Sequence, residues 1–347
     1  MFDDLEFRSS LGSDNHSGVH PRVMEAIQAA NQGHAHAYGL DEVCVLADKE
    51  FKRVFGDHVE AQYVFTGTAA NVLALSGLVR SYEAVICSSL AHLHLDECAA
   101  PEKFWGAKLY TLPTENGKIH PEQCASLFER MGDQHFAQPR AVSLTQPTET
   151  GLCYTIKELK QWKEFCVQKN LMLHIDGARL ANAAAHLKVS LKEITEVADV
   201  VSFGGTKNGL MGAEAVLLFS EDAKRGFKFY RKQAMQLSSK TRFLAAQFYA
   251  YLKNDLWREI AQQSLRLTKD LETKLQAFPE IEMAFPIESN ALFVRLPKAW
   301  LKPFRQKFFC YVWDSKTQLC RWMISWDWTT ELNDKVIETI KEVKNVD

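Results

Sequence analysis

Short apolar runs alternate with segments of helical spacing from about residue 60 to residue 220, and this alternation constrains the fold more than any other feature. Helices are predicted over 69–80 and 156–168. Strands are predicted at 62–65, 84–87, 108–111, 141–144, 171–175, 200–203 and 215–219. Strands that alternate with helices form a mostly parallel sheet covered by helices on both faces. The sequence therefore predicts an α/β fold.

The pattern changes near residue 240. A long helix with a break near 253–255 is predicted over 243–275. The segments after it are apolar runs at 281–285, 291–296, 309–313 and 321–325 and a last helix at 334–346. A chain of 347 residues is long enough for two domains. We expect a large domain of residues 1–252, which includes the N-terminal segment 1–20, and a small C-terminal α+β domain of residues 253–347.

Charge and composition exclude several classes of protein. The 41 Lys and Arg against 43 Asp and Glu give a net charge of −2, whereas a general nucleic-acid binder is strongly basic. We expect no secretory signal, because no basic stretch followed by an apolar run opens the chain. The uncharged stretch 61–79 has nearly the length of a membrane span, but Thr66, Gly67 and Asn71 indicate a buried strand, turn and helix. Eight scattered cysteines without a C-x-x-C pair are typical of free thiols in the cytoplasm.

The segment Thr66-Gly67-Thr68 lies between an apolar strand and a predicted helix. The first amides of a helix have no partner within the helix, and the helix dipole is positive there. A glycine lets the backbone approach closely, and the threonine hydroxyls add hydrogen bonds, which suits a phosphate group. The alternative is an ordinary helix cap by threonine.

A carboxylate and a lysine follow two later strands. Asp176 comes directly after the apolar run 171–175, with Arg179 three residues further, and Lys207 lies in a Gly-rich turn after the run 200–203. Ligands of open α/β sheets bind at the carboxyl ends of the strands. The alternatives are that Asp176 caps the following helix, predicted over 178–186, and that Lys207 is a surface-loop lysine.

The predicted phosphate site at Thr66-Gly67-Thr68, the Asp176 carboxylate and the Lys207 amine together match the needs of one cofactor. Pyridoxal phosphate requires a lysine for its Schiff base, a carboxylate that keeps the ring nitrogen protonated, and helix amides for its phosphate. The combination is far more specific than any of its parts, and it predicts a pyridoxal-phosphate enzyme.

Further segments of the chain carry a family resemblance. They are Ser13-Asp-Asn with Gly18-Val-His-Pro21, Tyr38-Gly-Leu-Asp41, Thr66-Gly-Thr-Ala-Ala-Asn71, Ala91-His92 with Asp96-Glu97, His174-Ile-Asp-Gly-Ala-Arg179, Ser202-Phe-Gly-Gly-Thr-Lys-Asn-Gly209, and Arg321. On these segments the chain resembles the low-specificity L-threonine aldolases of the threonine aldolase and β-eliminating lyase family, which have the pyridoxal-phosphate fold type I. The C-terminal region resembles the family more weakly. The resemblance implies cleavage of L-threonine, L-allo-threonine and related β-hydroxy-α-amino acids to glycine and an aldehyde.

The resemblance also implies roles around the cofactor pyridoxal 5′-phosphate. Lys207 would form the Schiff base, Asp176 would pair with the pyridine nitrogen, and Arg179 would lie near the phenolic oxygen. Gly67 and Thr68 would hold the phosphate, and His92 would stack on the ring face opposite the lysine. Toward the substrate, Ser13 and Arg321 would bind the carboxylate, and His135 would lie near the hydroxyl. Tyr38 and Lys240 would reach the site from a neighbouring subunit, which implies a homo-oligomer, a tetramer rather than a dimer.

Several alternatives stay open. The same scaffold supports β-elimination or racemisation, and a non-catalytic homologue would bind the cofactor or a partner protein. His34 with His36, and His92 with His94, have the spacing of metal-ligand pairs, but we expect no metal. The catalytic base is His92, His135 or a water molecule held by them.

Overall fold

The structure, a computed structural model, describes residues 9–114 and 116–345. Two sheets organise the chain. Their strands are β1 (Glu60–Val64), β2 (Glu83–Ser88), β3 (Lys108–Leu112), β4 (Gln138–Thr145), β5 (Met172–Gly177), β6 (Val200–Gly204), β7 (Glu214–Leu218), β8 (Glu282–Met283), β9 (Ala291–Arg295), β10 (Tyr311–Asp314) and β11 (Leu319–Met323). The predicted strands are present. Strand β4 begins three residues before its apolar run, β10 begins two residues after its run, and β11 lies two residues before its run.

Helices connect and cover these strands. They are α1 (Pro21–Ala30), α2 (Glu42–Phe55), α3 (Gly67–Ser76), α4 (His92–Leu95), α5 (Ala100–Trp105), α6 (Ile156–Lys169), α7 (Leu180–Leu187), α8 (Leu191–Thr195), α9 (Glu221–Lys224), α10 (Phe227–Gln233), α11 (Arg242–Leu252), α12 (Leu256–Leu275), α13 (Lys298–Lys307) and α14 (Thr330–Lys344). Short 3₁₀ turns occur at Asp14–His16, Pro121–Phe128, Thr206–Asn208 and Lys253–Asp255. The last of these turns is the break expected in the long helix. Val346, predicted as the end of the last helix, lies outside the described residues.

The large sheet has the strand order β1-β7-β6-β5-β4-β2-β3. Strands β2 to β6 are parallel, and β7 is antiparallel to both of its neighbours. Strands β5, β6 and β7 are buried along their whole length, as expected for a sheet with helices on both faces. The predicted α/β fold with a mostly parallel sheet is confirmed.

The small sheet is antiparallel throughout, with the order β10-β11-β9-β8. Helix α12 connects the two regions, because Trp257 and Ile260 pack in the core of the large sheet while Leu267 and Leu271 pack in the core of the small one. Leu11 from the N-terminal segment also packs in the second core. The domain boundary between residues 252 and 253 stays a prediction.

The uncharged stretch 61–79 forms most of strand β1, a turn and helix α3. Helix α3 has ten residues, and its side chains from Ala70 to Leu75 are buried inside the protein. Over the described ranges 9–114 and 116–345, no helix is long and apolar enough to cross a membrane.

Candidate active site

One edge of the large sheet brings together chain segments that are far apart in sequence. The carboxyl ends of the parallel strands meet there, since Thr145 of β4 pairs with Asp176 of β5, and Asp176 pairs with Ser202 of β6. The antiparallel strand β7 begins at the same edge, where Glu214 pairs with Gly204. Side chains at this edge therefore converge, as expected for a ligand site of an open α/β sheet.

A cavity of about 550 Å³ opens at this edge. Most of the predicted site residues line it: Ser13, Gly67, His92, Asp176, Arg179, Lys207 and Arg321. Thr68 follows Gly67 on helix α3 but is not part of the cavity wall, and neither are Tyr38, His135 and Lys240. Residues from the N-terminal segment to β11 thus contribute to one site.

Asp176 is 5% exposed and is held at both oxygens. Its Oδ2 accepts a hydrogen bond from Asn71 Nδ2 at 2.9 Å, and its Oδ1 accepts one from the Ala178 amide at 3.1 Å. Helix α7 begins only at Leu180, with Arg179 in the cap position. The alternative that Asp176 caps this helix is therefore wrong, and the carboxylate is directed by Asn71 at the cavity wall.

The side chain of His92 is oriented by the same network. Asn71 Nδ2 also donates to Glu97 Oε1 at 3.0 Å, and His92 Nδ1 lies 2.8 Å from the same oxygen. The hydrogen bond to Glu97 raises the pKa of His92, with a contribution from the charge of Asp176 and against the opposing effect of burial. Asn71 and Glu97 are 3% exposed each, so this network is shielded from solvent.

Lys207 lies in the 3₁₀ turn that follows β6 and is half-buried at the cavity. Within the described part of the chain, its amine makes no hydrogen bond and no ion pair. The positive charge of Arg179 lowers the pKa of Lys207, and burial lowers it further. A lower pKa leaves more of the amine unprotonated and nucleophilic. The alternative of a solvated surface-loop lysine is therefore wrong.

Arg179 is fixed by Asp14. The guanidinium donates to the Asp14 carboxylate through Nε at 2.6 Å and Nη2 at 2.9 Å. Asp14 is 1% exposed and also accepts from Asn290 Nδ2 at 3.3 Å. Burial alone would raise the pKa of Asp14, but the pairing with Arg179 outweighs burial, and the pKa is lowered. The ion pair places a fixed cation beside Lys207.

The start of helix α3 offers free amides at the cavity. Thr66 Oγ1 accepts from the Ala69 amide at 3.1 Å, so the predicted threonine cap is present. Among the described residues, the amides of Gly67 and Thr68 have no acceptor. A Cβ added to Gly67 would meet no atom within 4 Å, which shows open space in front of the helix. Free amides at the positive end of a helix with space before them fit the phosphate of the predicted cofactor.

Arg321 and Ser13 lie on the side of the small sheet. The Arg321 guanidinium lies over the ring of Trp313, 5.2 Å from its centroid, and Tyr311 is its partner across the strands. Burial lowers the pKa of Arg321, followed by the charge of Arg179. Its Nε is buried and has no partner in the portion of the chain that the structure covers. Ser13 Oγ accepts from the Asn15 amide at 3.1 Å. An unpaired guanidinium at a cavity wall suits a carboxylate ligand.

His135 lies at the other edge of the large sheet. It precedes strand β4, which has eight residues and therefore spans about 26 Å, whereas the cavity is at the carboxyl end of that strand. Its side chain is exposed, and its amide donates to Asp133 Oδ1 at 2.9 Å. This corrects the expectation for His135, because the fold does not bring it to the cavity of its own chain.

Tyr38 and Lys240 lie together on the surface. The Tyr38 amide donates to the carbonyl of Ser239 at 2.9 Å, and both side chains are exposed and outside the cavity wall. Large apolar side chains nearby in sequence are also exposed, with Leu40 and Met235 at 78% each. The expectation that Tyr38 and Lys240 complete the site of a neighbouring subunit stays a prediction.

Sequence reasoning gave no role toward cofactor or substrate to five residues of the site: Asp14, Asn71, Glu97, Glu149 and Glu214. Glu149 Oε1 accepts from Thr145 Oγ1 at 2.8 Å and from the His92 amide at 2.9 Å. Glu214 Oε2 accepts from the Gly205 amide at 3.0 Å. Burial raises the pKa of Glu149 and of Glu214 to about 7. The signal for Glu149 was available, because its loop follows strand β4 and the rule that located Asp176 applies equally there.

Most histidines of the candidate metal-ligand pairs lie on the surface, whereas most cysteines are buried. His34, His36 and His94 are exposed. Over the described ranges, no group of three or more His, Cys, Asp or Glu side chains could hold a metal ion. All eight cysteines lie within the described residues and are unpaired, and only Cys98 is exposed.

Comparison with known proteins assigns the family. Residues 10–297 match the model of the beta-eliminating lyase family. The low specificity L-threonine aldolase of Pseudomonas aeruginosa is 39% identical over 342 residues, which cover 97% of each chain. The enzyme of the same name from a Pseudomonas species is 40% identical over 91% of this chain and 92% of the relative. The structure of Leishmania major threonine aldolase superposes with a TM-score of 0.91 at 28% identity, over 96% of this chain and 99% of that one. The chain belongs to the beta-eliminating lyase family, within which it is similar over nearly its whole length to the low specificity L-threonine aldolases.

Proposed function

We propose that the chain binds pyridoxal 5′-phosphate, the cofactor of this family, and cleaves β-hydroxy-α-amino acids such as L-threonine and L-allo-threonine to glycine and an aldehyde. The observation that carries the proposal is the convergence of Lys207, Asp176 and the start of helix α3 on one cavity. An amine, a carboxylate and a set of free helix amides are the three groups that this cofactor requires of a protein.

Each of these groups would bind a different part of the cofactor. Lys207 would hold its aldehyde carbon, and the lowered pKa of Lys207 favours this role because the amine must be unprotonated to react. Asp176 would keep a proton on the ring nitrogen, and Arg179 would serve the phenolic oxygen. The amides of Gly67 and Thr68 would bind the phosphate, and His92 would contact the ring. When bound, the cofactor supplies an electron-accepting ring for the chemistry at the substrate Cα.

Substrate binding falls to Arg321 and Ser13. The Arg321 guanidinium forms a charge-assisted pair with the substrate carboxylate, and Ser13 adds a hydroxyl donor. Fixing the carboxylate fixes the orientation of the Cα–Cβ bond at the reacting centre, which is a large part of what an enzyme can contribute to such a step. The aromatic rings of Tyr311 and Trp313 form part of the cavity wall beside Arg321.

We further propose a homo-oligomer with shared sites, a tetramer rather than a dimer, in the cytoplasm. The exposed pair of Tyr38 and Lys240 and the exposed apolar side chains of Leu40 and Met235 support an interface on this face, since large exposed apolar patches are typical of interaction surfaces. The unpaired cysteines support a reducing compartment.

Product analysis tests the reaction. The purified protein is loaded with the cofactor and given L-threonine, and glycine, acetaldehyde, 2-oxobutanoate, ammonia and D-allo-threonine, the product of inversion at Cα alone, are measured together. Equal amounts of glycine and acetaldehyde are expected. Ammonia with 2-oxobutanoate, or D-allo-threonine, would overturn the proposal in favour of elimination or racemisation on the same scaffold.

A further inference from the structure

Glu149 lines the cavity, yet neither the cofactor contacts nor the pair with the substrate carboxylate uses it. Its loop leaves the carboxyl end of β4, where Thr145 pairs with Asp176. We propose that Glu149 is the catalytic base that takes the proton from the β-hydroxyl of the substrate. This inference rests on the proposed function and names the residue that carries its proton transfer.

The two oxygens of Glu149 are in different environments. Oε1 is occupied by the Thr145 hydroxyl and the His92 amide. Oε2 is buried and has no partner within residues 9–114 and 116–345. A buried carboxyl oxygen is expensive to leave without a partner in either protonation state. One oxygen therefore positions the carboxyl group, and the other has no hydrogen bond within the described residues that a substrate hydroxyl would have to displace.

The protonation state of Glu149 suits this role. Burial raises its pKa to about 7, which is near the optimum for a general base at neutral pH. The charged and titratable groups that act on it are Asp176 and Arg179 at the end of β5, His92 on α4, Cys87 on β2, and Tyr154 beyond its own loop. Asp176 opposes ionisation and Arg179 favours it, so both forms of the carboxyl group are present at neutral pH.

His92 is less suited to accept this proton. Its Nδ1 is engaged by Glu97, and that hydrogen bond raises its pKa, which favours the protonated ring. A protonated imidazole is a donor at both nitrogens and accepts no proton. His92 instead fixes Glu149 through its amide, and its ring is free to stack in the cavity.

Proton transfer to Glu149 accompanies the cleavage of the Cα–Cβ bond. The hydroxyl O–H bond breaks and its proton moves to Glu149. The electron pair left on oxygen forms the aldehyde C=O bond as the Cα–Cβ bond breaks, and the pair from that bond remains at Cα. A proton from solvent adds at Cα and completes glycine, and Glu149 returns to its starting charge when it releases its proton to solvent, so no net proton is consumed.

The test compares Glu149→Gln with the wild-type holoenzyme. The glutamine keeps an oxygen for Thr145 and His92 but does not ionise. Turnover of L-threonine is expected to fall by about 100-fold or more, and the rise of kcat/KM with pH near neutrality is expected to disappear. Glycine has no β-hydroxyl, so its Kd, measured from the change in cofactor absorbance, is expected to stay within about twofold. The surface variant Glu122→Gln serves as the matched control.

Two results would overturn the assignment. One is turnover of L-threonine by Glu149→Gln within about threefold of wild type. The other is a loss of glycine affinity as large as the loss of turnover, since that result would show a purely structural role. A wild-type enzyme that releases no aldehyde from L-threonine would instead defeat the proposed function itself.

A measurement on the cofactor-free protein distinguishes Glu149 from Glu214, the other buried carboxyl group at the site. Infrared difference spectra of the cofactor-free protein are expected to show carboxylic-acid C=O bands that titrate near pH 7, because two buried carboxyls have a pKa of about 7. Glu149→Gln is expected to remove one component and Glu214→Gln the other. A Glu149→Gln spectrum identical to wild type would contradict the proposed protonation state.

Discussion

Asn71 Nδ2 donates a hydrogen bond to Asp176 Oδ2 at 2.9 Å. This contact joins helix α3, which lines the cavity, to β5, the central strand of the large sheet. The same nitrogen donates to Glu97 Oε1 at 3.0 Å, so one amide serves two buried carboxyl groups. Asn71 is reached one turn after Gly67, on the face of helix α3 that lines the cavity. The segment that offers amides for a phosphate therefore also orients the carboxylate for the ring nitrogen.

Replacing this amide is expected to weaken cofactor binding. In Asn71→Ala, Asp176 and Glu97 lose their shared donor, and a hydrogen bond to a charged group contributes about 1.5–3 kcal/mol, equivalent to a rise in the cofactor Kd of roughly 10- to 100-fold. The Kd is measured by titrating the cofactor-free protein. Asn333→Ala is the control, because Asn333 is equally buried but bonds to Trp328 and Leu267, away from the cavity. An unchanged Kd in Asn71→Ala would contradict the role of the contact.

The pair of His92 and Glu97 gives a pH-dependent stability. The pKa of His92 is raised in the folded chain, so the pair stabilises the fold fully below the unfolded pKa of about 6.5 and loses this effect as the pH rises through the folded pKa. The free energy of unfolding is measured in urea at about pH 6 and about pH 9. The advantage of wild type over Glu97→Gln is expected to be larger at the lower pH. A pH-independent difference, equal to that of the surface control Glu102→Gln, would refute this account.

Arg321 is expected to control substrate capture. Arg321→Ala removes the guanidinium whose Nε has no partner within the described ranges, and KM for L-threonine should rise by about 10- to 100-fold with a smaller effect on kcat. Arg321→Lys keeps the charge but not the bidentate geometry and should fall in between. Steady-state kinetics give both constants. Arg305→Ala is the control, since Arg305 lies over Phe309 outside the cavity wall. An unchanged KM in Arg321→Ala would rule out the assignment.

If each active site is formed by two subunits, two variants that are inactive alone are expected to restore activity when they assemble together. Lys207→Ala and Lys240→Met each damage every site of their own oligomer. When the two chains are co-expressed and assemble at random, about a quarter of the sites combine an intact Lys207 with an intact Lys240 of the neighbour. Activity per site should recover to about that fraction of wild type. A mixture no more active than its better parent would show that Lys240 does not act across an interface.

The repeated pattern of the sequence made the large sheet predictable. Alternation of apolar runs located β5 and β6 to within two residues, and the rule for carboxyl ends of parallel strands placed Asp176 and Lys207 at one edge. Helix α14 begins earlier than predicted because Thr329 caps it, with Oγ1 accepting from the Leu332 amide. Leu332 is the one apolar residue among the first four of this helix, and apolar spacing alone could not detect the turn.

Contacts between distant segments could not be predicted. Arg179 and Asp14 are 165 residues apart, and Asn71 and Asp176 are 105 residues apart, so no local pattern connects them. Pairings of this kind are set by strand order, which only the folded chain reveals. His135 is a different case, because the strand predicted at 141–144 follows it and already places it at the opposite edge from the cavity of its own chain.

The most direct test of the account is to locate the cofactor on the chain. The holoenzyme is treated with borohydride, which makes the bond between the cofactor and its lysine permanent, and the digested peptides are mapped by mass spectrometry. The account predicts the cofactor on Lys207 alone and no labelled peptide in Lys207→Ala. Attachment at a different lysine, or no attachment in a protein saturated with cofactor, would contradict the central claim that this cavity is the active site.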